Sequence, residues 1–141
     1  MNERRINKRV LSYWKDLQEI NGAIPPEASV SPDELQDIWG NCFIINTKNG
    51  KYSFQGDNII ALSGGQSLIG KDIYNNLICP DNSNISSIVK EVVNTKSPIS
   101  QESQIMNKYG VPVKFRRCFV PLSDSEGNIC YVLGGIRWKA S

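Results

Sequence analysis

The sequence predicts an α+β domain: a five-stranded antiparallel sheet with helices on one face, preceded by an amphipathic N-terminal helix. Three observations lead there. Two short apolar runs flank Asn49-Gly50, a pair favoured in tight hairpin turns. Three longer strand-like runs end the chain, separated only by turn residues. Between the two groups the apolar residues follow a helical spacing. Two adjacent strands, a helical insertion and three more strands suggest one sheet with its helices gathered on one side. The 141 residues suit one such domain.

Residues 3–20 read as the amphipathic helix. Ile6, Val10, Tyr13, Trp14, Leu17 and Ile20 recur every three to four positions, and charge fills the other face. Asn21-Gly22 stops it and Pro25-Pro26 prevents resumption, dividing the chain into 1–24 and 25–141. Ser31-Pro32-Asp33-Glu34 predicts a second helix running to about Trp39, with Ser31 as N-cap and a Ser-x-x-Glu capping box. Residues 42–47 form an apolar strand and 51–55 its return. Residues 58–62 suit either a short helix or a buried strand. Ser63-Gly64-Gly65 is a loop, and residues 72–78 form a short helix closed by Pro80.

Ile85, Ile88, Val89, Val92 and Val93 share one face of a helix over 82–95. Strands follow at 100–107, 111–122 and 129–138. With the last turn centred near Ser125, Cys118 and Cys130 fall nearly opposite each other on adjacent strands.

The chain contains no histidine. That excludes Ser–His–Asp and Cys–His catalysis, His-ligated zinc and haem, and imidazole pH sensing. Cys42, Cys79, Cys118 and Cys130 show no CxxC spacing, so no metal site is expected. Three of them lie in apolar strand-like runs, where a thiol behaves as a small buried hydrophobe. No run approaches the roughly 20 apolar residues of a membrane span. The basic start lacks the apolar run of a signal peptide, and reduced thiols point to the cytoplasm.

The net charge of +2 is too small to imply nucleic acid by itself. Its distribution is uneven. Arg4, Arg5, Lys8, Arg9 and Lys15 crowd the start; Lys108, Lys114, Arg116, Arg117, Arg137 and Lys139 crowd the end. If the two ends meet, they form a basic patch; otherwise they are two solvated faces.

Residues 65–71 fit G-x-x-x-x-G-K, the front of a phosphate-cradling loop. Asp72 follows where that motif needs a hydroxyl, and its carboxylate repels phosphate. The plain reading is a turn beside the sheet with Lys71 in solvent. Acidic residues complement a helix start (Asp33, Glu34, Asp37) or fill a loop (Asp124, Glu126), so no catalytic pair stands out.

The order of elements and several residue patterns resemble the Per-Arnt-Sim (PAS) sensory domain, in particular a bacterial family of small single-domain PAS proteins. The likeness runs over about residues 8–138. It rests on Tyr13-Trp14 and Leu17, Pro25-Pro26, Ser31-Pro32-Asp33-Glu34-Leu35, the strand at 42–45, and Gly64/Gly65, Leu68, Gly70 and Lys71. Val120-Pro121-Leu122-Ser123, Gly127 and Gly134-Gly135 complete it. The resemblance implies sensing or protein association more than catalysis. It leaves the cofactor unknown: there is no histidine for haem, and Leu77-Ile78-Cys79-Pro80 is not the reactive-cysteine helix of flavin photoreceptors.

These readings converge on a cytoplasmic, non-catalytic sensory or regulatory module of signal transduction that binds a small ligand, a protein partner, or both. The alternatives are a nucleotide-binding protein using residues 65–71 and a nucleic-acid adaptor using the basic termini. Any ligand pocket is expected between the sheet and the helix at 82–95, lined by Phe54, Ile88, Val92, Cys118 and Val132; a fully packed core is the competing outcome. The apolar stripe of residues 3–20 must leave water. It folds back on its own sheet or pairs with a second copy as a homodimer, and the resemblance favours pairing. The like charges of Arg4, Arg5, Lys8 and Arg9 make an antiparallel or offset crossing the expected one.

Overall fold

The apolar runs assemble into a sheet of β1 (Cys42–Asn46), β2 (Lys51–Gln55), β3 (Ile99–Met106), β4 (Pro112–Ser123) and β5 (Ile129–Ala140). A computed structural model describes residues 5–62, 65–73, 85–106 and 109–140. The spatial order is β2-β1-β5-β4-β3, and every neighbouring pair is antiparallel. The last strand thus lies at the centre. Among the described residues three α-helices accompany the sheet: α1 (Ile6–Asn21), α2 (Asp57–Leu62) and α3 (Ile85–Thr95).

Strand alternation divides the apolar residues between two cores. Phe43, Ile45, Tyr52, Phe119, Val132 and Ile136 meet the α3 residues Ile85, Ile88, Val89 and Val92. Cys42, Ile44, Cys118, Val120, Leu122 and Leu133 meet the stripe of α1. Ile6, Val10, Tyr13, Trp14 and Leu17 are all buried there. Of the two fates open to that stripe, the fold takes the first: α1 lies on its own sheet and shares a core with it.

Polar bonds fix this placement. Trp14 Nε1 donates to the carbonyl of Pro121 at 2.7 Å, and the Tyr13 hydroxyl accepts from the Ser31 amide at 2.9 Å. Arg9 donates to both carboxylate oxygens of Asp37 at 3.1 and 3.2 Å, and to the carbonyl of Glu34 at 2.6 Å. Gly135 makes the approach possible, since a Cβ there would come within 2.7 Å of Val10 Cγ2.

Several local expectations need correction. The hairpin joins Asn46 to Lys51 across four loop residues rather than two, with a bulge between Ile44 and Ile45. Asn46 Oδ1 accepts from the amides of Lys48 and Asn49, and Gly50 takes the left-handed conformation at φ 69°. The helix expected after Ser31 is instead two 3-10 turns, Pro32–Leu35 and Trp39–Asn41, and Ser31 makes no side-chain cap. Here tertiary contacts win: Leu35 and Ile38 are buried beneath α1, and Arg9 holds the segment by Asp37. The ambiguous run at 58–62 is helical, as α2. The helix expected over 72–78 falls largely outside the described residues, as do residues 82–84 at the start of the longer helix.

The cysteine register also differs. Cys118 pairs with Gly135, while Cys130 is the extra residue where Leu122 opposes Tyr131 and Ser123 opposes Ile129. The reason lies in the turn. Asp124 Oδ1 accepts from the amides of Glu126 and Asn128, which moves the reversal beyond Ser125.

Trp14→Ala is expected to cost about 3–5 kcal/mol, as for other large core truncations. Trp14→Phe keeps most of the burial but strands the Pro121 carbonyl, at about 1–3 kcal/mol. Urea titration of the variants beside the wild type measures both.

Candidate functional site

Ile88, Val92 and Val132 come together, as expected, in the core between α3 and the sheet. Helix α3 places Ile85, Ile88, Val89 and Val92 along one face because they repeat every three to four residues. Phe54 and Cys118 do not join them. Both pack on the other side, in the α1 core, Phe54 stacked on Trp39 at 4.5 Å between ring centroids. A pocket lined by all five residues is therefore ruled out by the sheet between them.

The α3 side is floored by aromatics. Phe43 makes edge contacts with Tyr52 and Phe119 at 6.4 and 5.8 Å. Gly134 lies under the Phe43 ring, where a Cβ would clash.

Two polar groups lie on this side, Gln55, which the sequence did not single out, and Arg117, which it placed only among the basic residues near the end. Gln55 is 3% exposed; its Oε1 accepts from the Leu68 amide at 2.6 Å, and among the described residues its Nε2 has no partner. Arg117 is buried on β4, its guanidinium 4.8 Å from the Phe115 ring centroid and 5.7 Å from that of Phe119. Its Nε donates to Gln101 at 2.7 Å. Parity with Phe115 and Phe119 along an alternating strand was the signal that could have placed Arg117 inward.

The stretch from Gly65 to Lys71 is stitched to β2. Gly70 N donates to the Tyr52 carbonyl, Tyr52 N to the Lys71 carbonyl, and Ile73 N to the Gly50 carbonyl. Leu68 N is held by Gln55 and Lys71 N by Leu68 O. These amides are spent within the fold, so they cannot cradle a phosphate in this arrangement. Lys71 is exposed, as expected.

Cys42 and Cys118 both pair with Gly135, from opposite sides, beneath α1. Burial pushes each thiol up to about 12, with the charge of Asp37 adding to the effect at Cys42. Such thiols are poor nucleophiles and poor ligands. Cys130 is buried too, and its thiol donates to Asp124 at 3.2 Å. Cys79 lies outside the described residues. No group of three or more Cys, Asp or Glu suited to a metal occurs among the described residues.

A concavity of about 770 Å³ opens where α1 begins beside β3, β4 and β5. Arg5 and Ile6 form one wall, and Lys114, Arg116, Arg137 and Lys139 belong to its lining. Of the two basic groups of the sequence, Arg5 from the start meets Lys114, Arg116, Arg137 and Lys139 from the end here.

A family model described as a PAS domain matches residues 2–137. The chain belongs to the PAS domain family. Among solved structures, this PAS domain is similar to the dark-state LOV domain of the blue-light photoreceptor Aureochrome1. Identity there is 15% over 77% of this chain and 83% of that one, with a TM-score of 0.53. It is also similar to the PAS domain of a protein from Colwellia psychrerythraea, at 18% identity over 74% and 92% of the two chains and a TM-score of 0.50. At such identities the likeness is one of fold. No curated protein matches the chain.

The raised thiols carry a pH signature. Their folded values lie above the ordinary 9.0, so the stability of the neutral thiols is fully present below about pH 9 and is lost as pH rises toward 12. Urea midpoints are expected to fall above about pH 9, and less steeply in a Cys42→Ala/Cys118→Ala variant. Equal slopes for the two proteins would show that these thiols are not the cause.

Proposed function

We propose that this PAS domain is a non-catalytic sensory and regulatory module that binds a small, largely apolar ligand on the α3 side of its sheet and reports its state to a protein partner. The observation that carries the reading is Gln55 Nε2, a buried donor that finds no acceptor among the described residues at the edge of the α3 core. A buried donor left unpaired costs about 1–3 kcal/mol, and an acceptor on a ligand would recover it. On the same side of the sheet Ile88, Val92 and Val132 supply the apolar lining; Phe54 and Cys118 drop out because they face α1.

Sensing needs an output. Strand β5 alternates between the cores, with Val132 and Ile136 toward α3 and Leu133 toward α1. A shift of β5 on ligand binding would therefore be felt by α1. Pairing of two copies through α1 would have to use its outward residues, such as Lys8, Lys15, Glu19 and the exposed Ile20, because the stripe is already covered. The free buried thiols support a cytoplasmic setting. Among the described residues, no helix is long and apolar enough to cross a membrane.

Native mass spectrometry of protein purified from its own host is expected to show a bound small molecule, lost in Gln55→Leu. Bare polypeptide in the wild type would overturn the ligand reading and leave Gln55 as an uncompensated buried amide.

A further inference from the structure

We propose that the groove at the start of α1 is a second binding site, selective for a small ligand carrying two or more phosphate groups. Its basis is the sheet register. Arg116 pairs with Arg137, and Lys114 with Lys139, on the adjacent strands β4 and β5. On β3, Glu102 and Gln104 complete the two rows. Residues two apart share a face, so the four cations form a two-by-two grid on the side of the sheet that α1 covers further along. Neighbours across strands have Cβ atoms about 4.5–5.5 Å apart. Along a strand the spacing is about 6–7 Å.

Like charges set directly opposite each other destabilise a sheet. Here two such pairs stand side by side, and Arg5 adds a fifth cation on the wall. Among the described residues, the one acid in the lining is Glu102, which lies 3.4 Å from Arg116 and also accepts from Asn7 at 3.3 Å. Among the described residues, no carboxylate pairs with Lys114, Arg137 or Lys139. Helix α1 points the same way. Its first turn holds no acid and Arg5 at its N-cap makes no side-chain cap bond, so among the described residues the carboxylate that reaches this positive helix end is Glu102, through Asn7.

The size of the site selects the ligand. A volume of about 770 Å³ falls within the roughly 300–1,000 Å³ of small-molecule sites. Arginine forks bind phosphate oxygens in pairs while lysines act as point charges, and the grid offers two of each. The cations form a cluster rather than a long stripe, and the whole chain carries only +2. Both features favour a compact anion over a nucleic-acid strand.

The test is calorimetric titration of the full chain with inorganic pyrophosphate at low salt, beside orthophosphate and a short DNA duplex. Pyrophosphate is expected to bind one to one, at least tenfold more tightly than orthophosphate. Lys114→Gln/Lys139→Gln and Arg137→Gln should each weaken it about tenfold or more, as the loss of a charge-assisted bond predicts. Lys15→Gln, on an exposed residue of α1, should leave it unchanged. In the absence of anion the double variant should melt no lower than wild type, since a repulsion has been removed. Three results would overturn the proposal: no saturable pyrophosphate binding, equal weakening by Lys15→Gln, or preference for DNA with a steep salt dependence. The last would mark the groove as a nucleic-acid surface.

Discussion

The structure depends on one strand being approachable from both sides. Strand β5 lies at the centre of the sheet, and its Gly134-Gly135 pair has no side chain on either face. Phe43 covers Gly134 on the α3 side, while Val10 and Ile6 of α1 come down on Gly135 on the other. Larger residues there would push both layers away. Close packing on two faces gives a chain of this size a larger buried area than a sheet with one wet face. The α1 stripe is thus part of the core, and its burial is what lets Cys42, Cys118 and Leu133 sit in an apolar layer.

Much of the fold was legible because it rests on local signals. The apolar face of α3, the bounds of β2 and the three closing strands follow from periodicity and turn residues alone. What failed was set by contacts distant in sequence or by side chains that cap their own turns. The capping box at Ser31 lost to the pull of α1 on Leu35 and Ile38. The hairpin gained two loop residues because Asn46 turns its own side chain onto the following amides. For the candidate site, Ile88, Val92 and Val132 could be read from spacing, whereas the face taken by Phe54 and Cys118 depends on strand register. An error of an odd number of residues in register changes which face a side chain occupies. Cys118 opposite Gly135, rather than near Cys130, is that error in one pair.

Register also explains why the basic groove could only be posed as a condition. The spacings Lys114-x-Arg116 and Arg137-x-Lys139 are visible in the sequence, but either could belong to a solvated edge. Only the pairing of β4 with β5 sets one against the other, and only the return of α1 brings Arg5 to them. Charge patterns become sites when topology removes their freedom to separate.

The two proposed sites are not mechanically independent. Ile6 lines the groove and is also buried in the α1 core, close to Gly135. An anion held by the grid would therefore sit against the first turn of the helix that packs over β5. Residues of the same strand, Val132 and Ile136, form part of the α3 core, at whose edge Gln55 Nε2, without an acceptor among the described residues, points to the other proposed site. Two ligands acting through one strand and one helix are linked to the extent that each prefers a different packing of that pair. Tight cores favour discrete arrangements over gradual ones, so the coupling would appear as a shift between packings of α1 on the sheet.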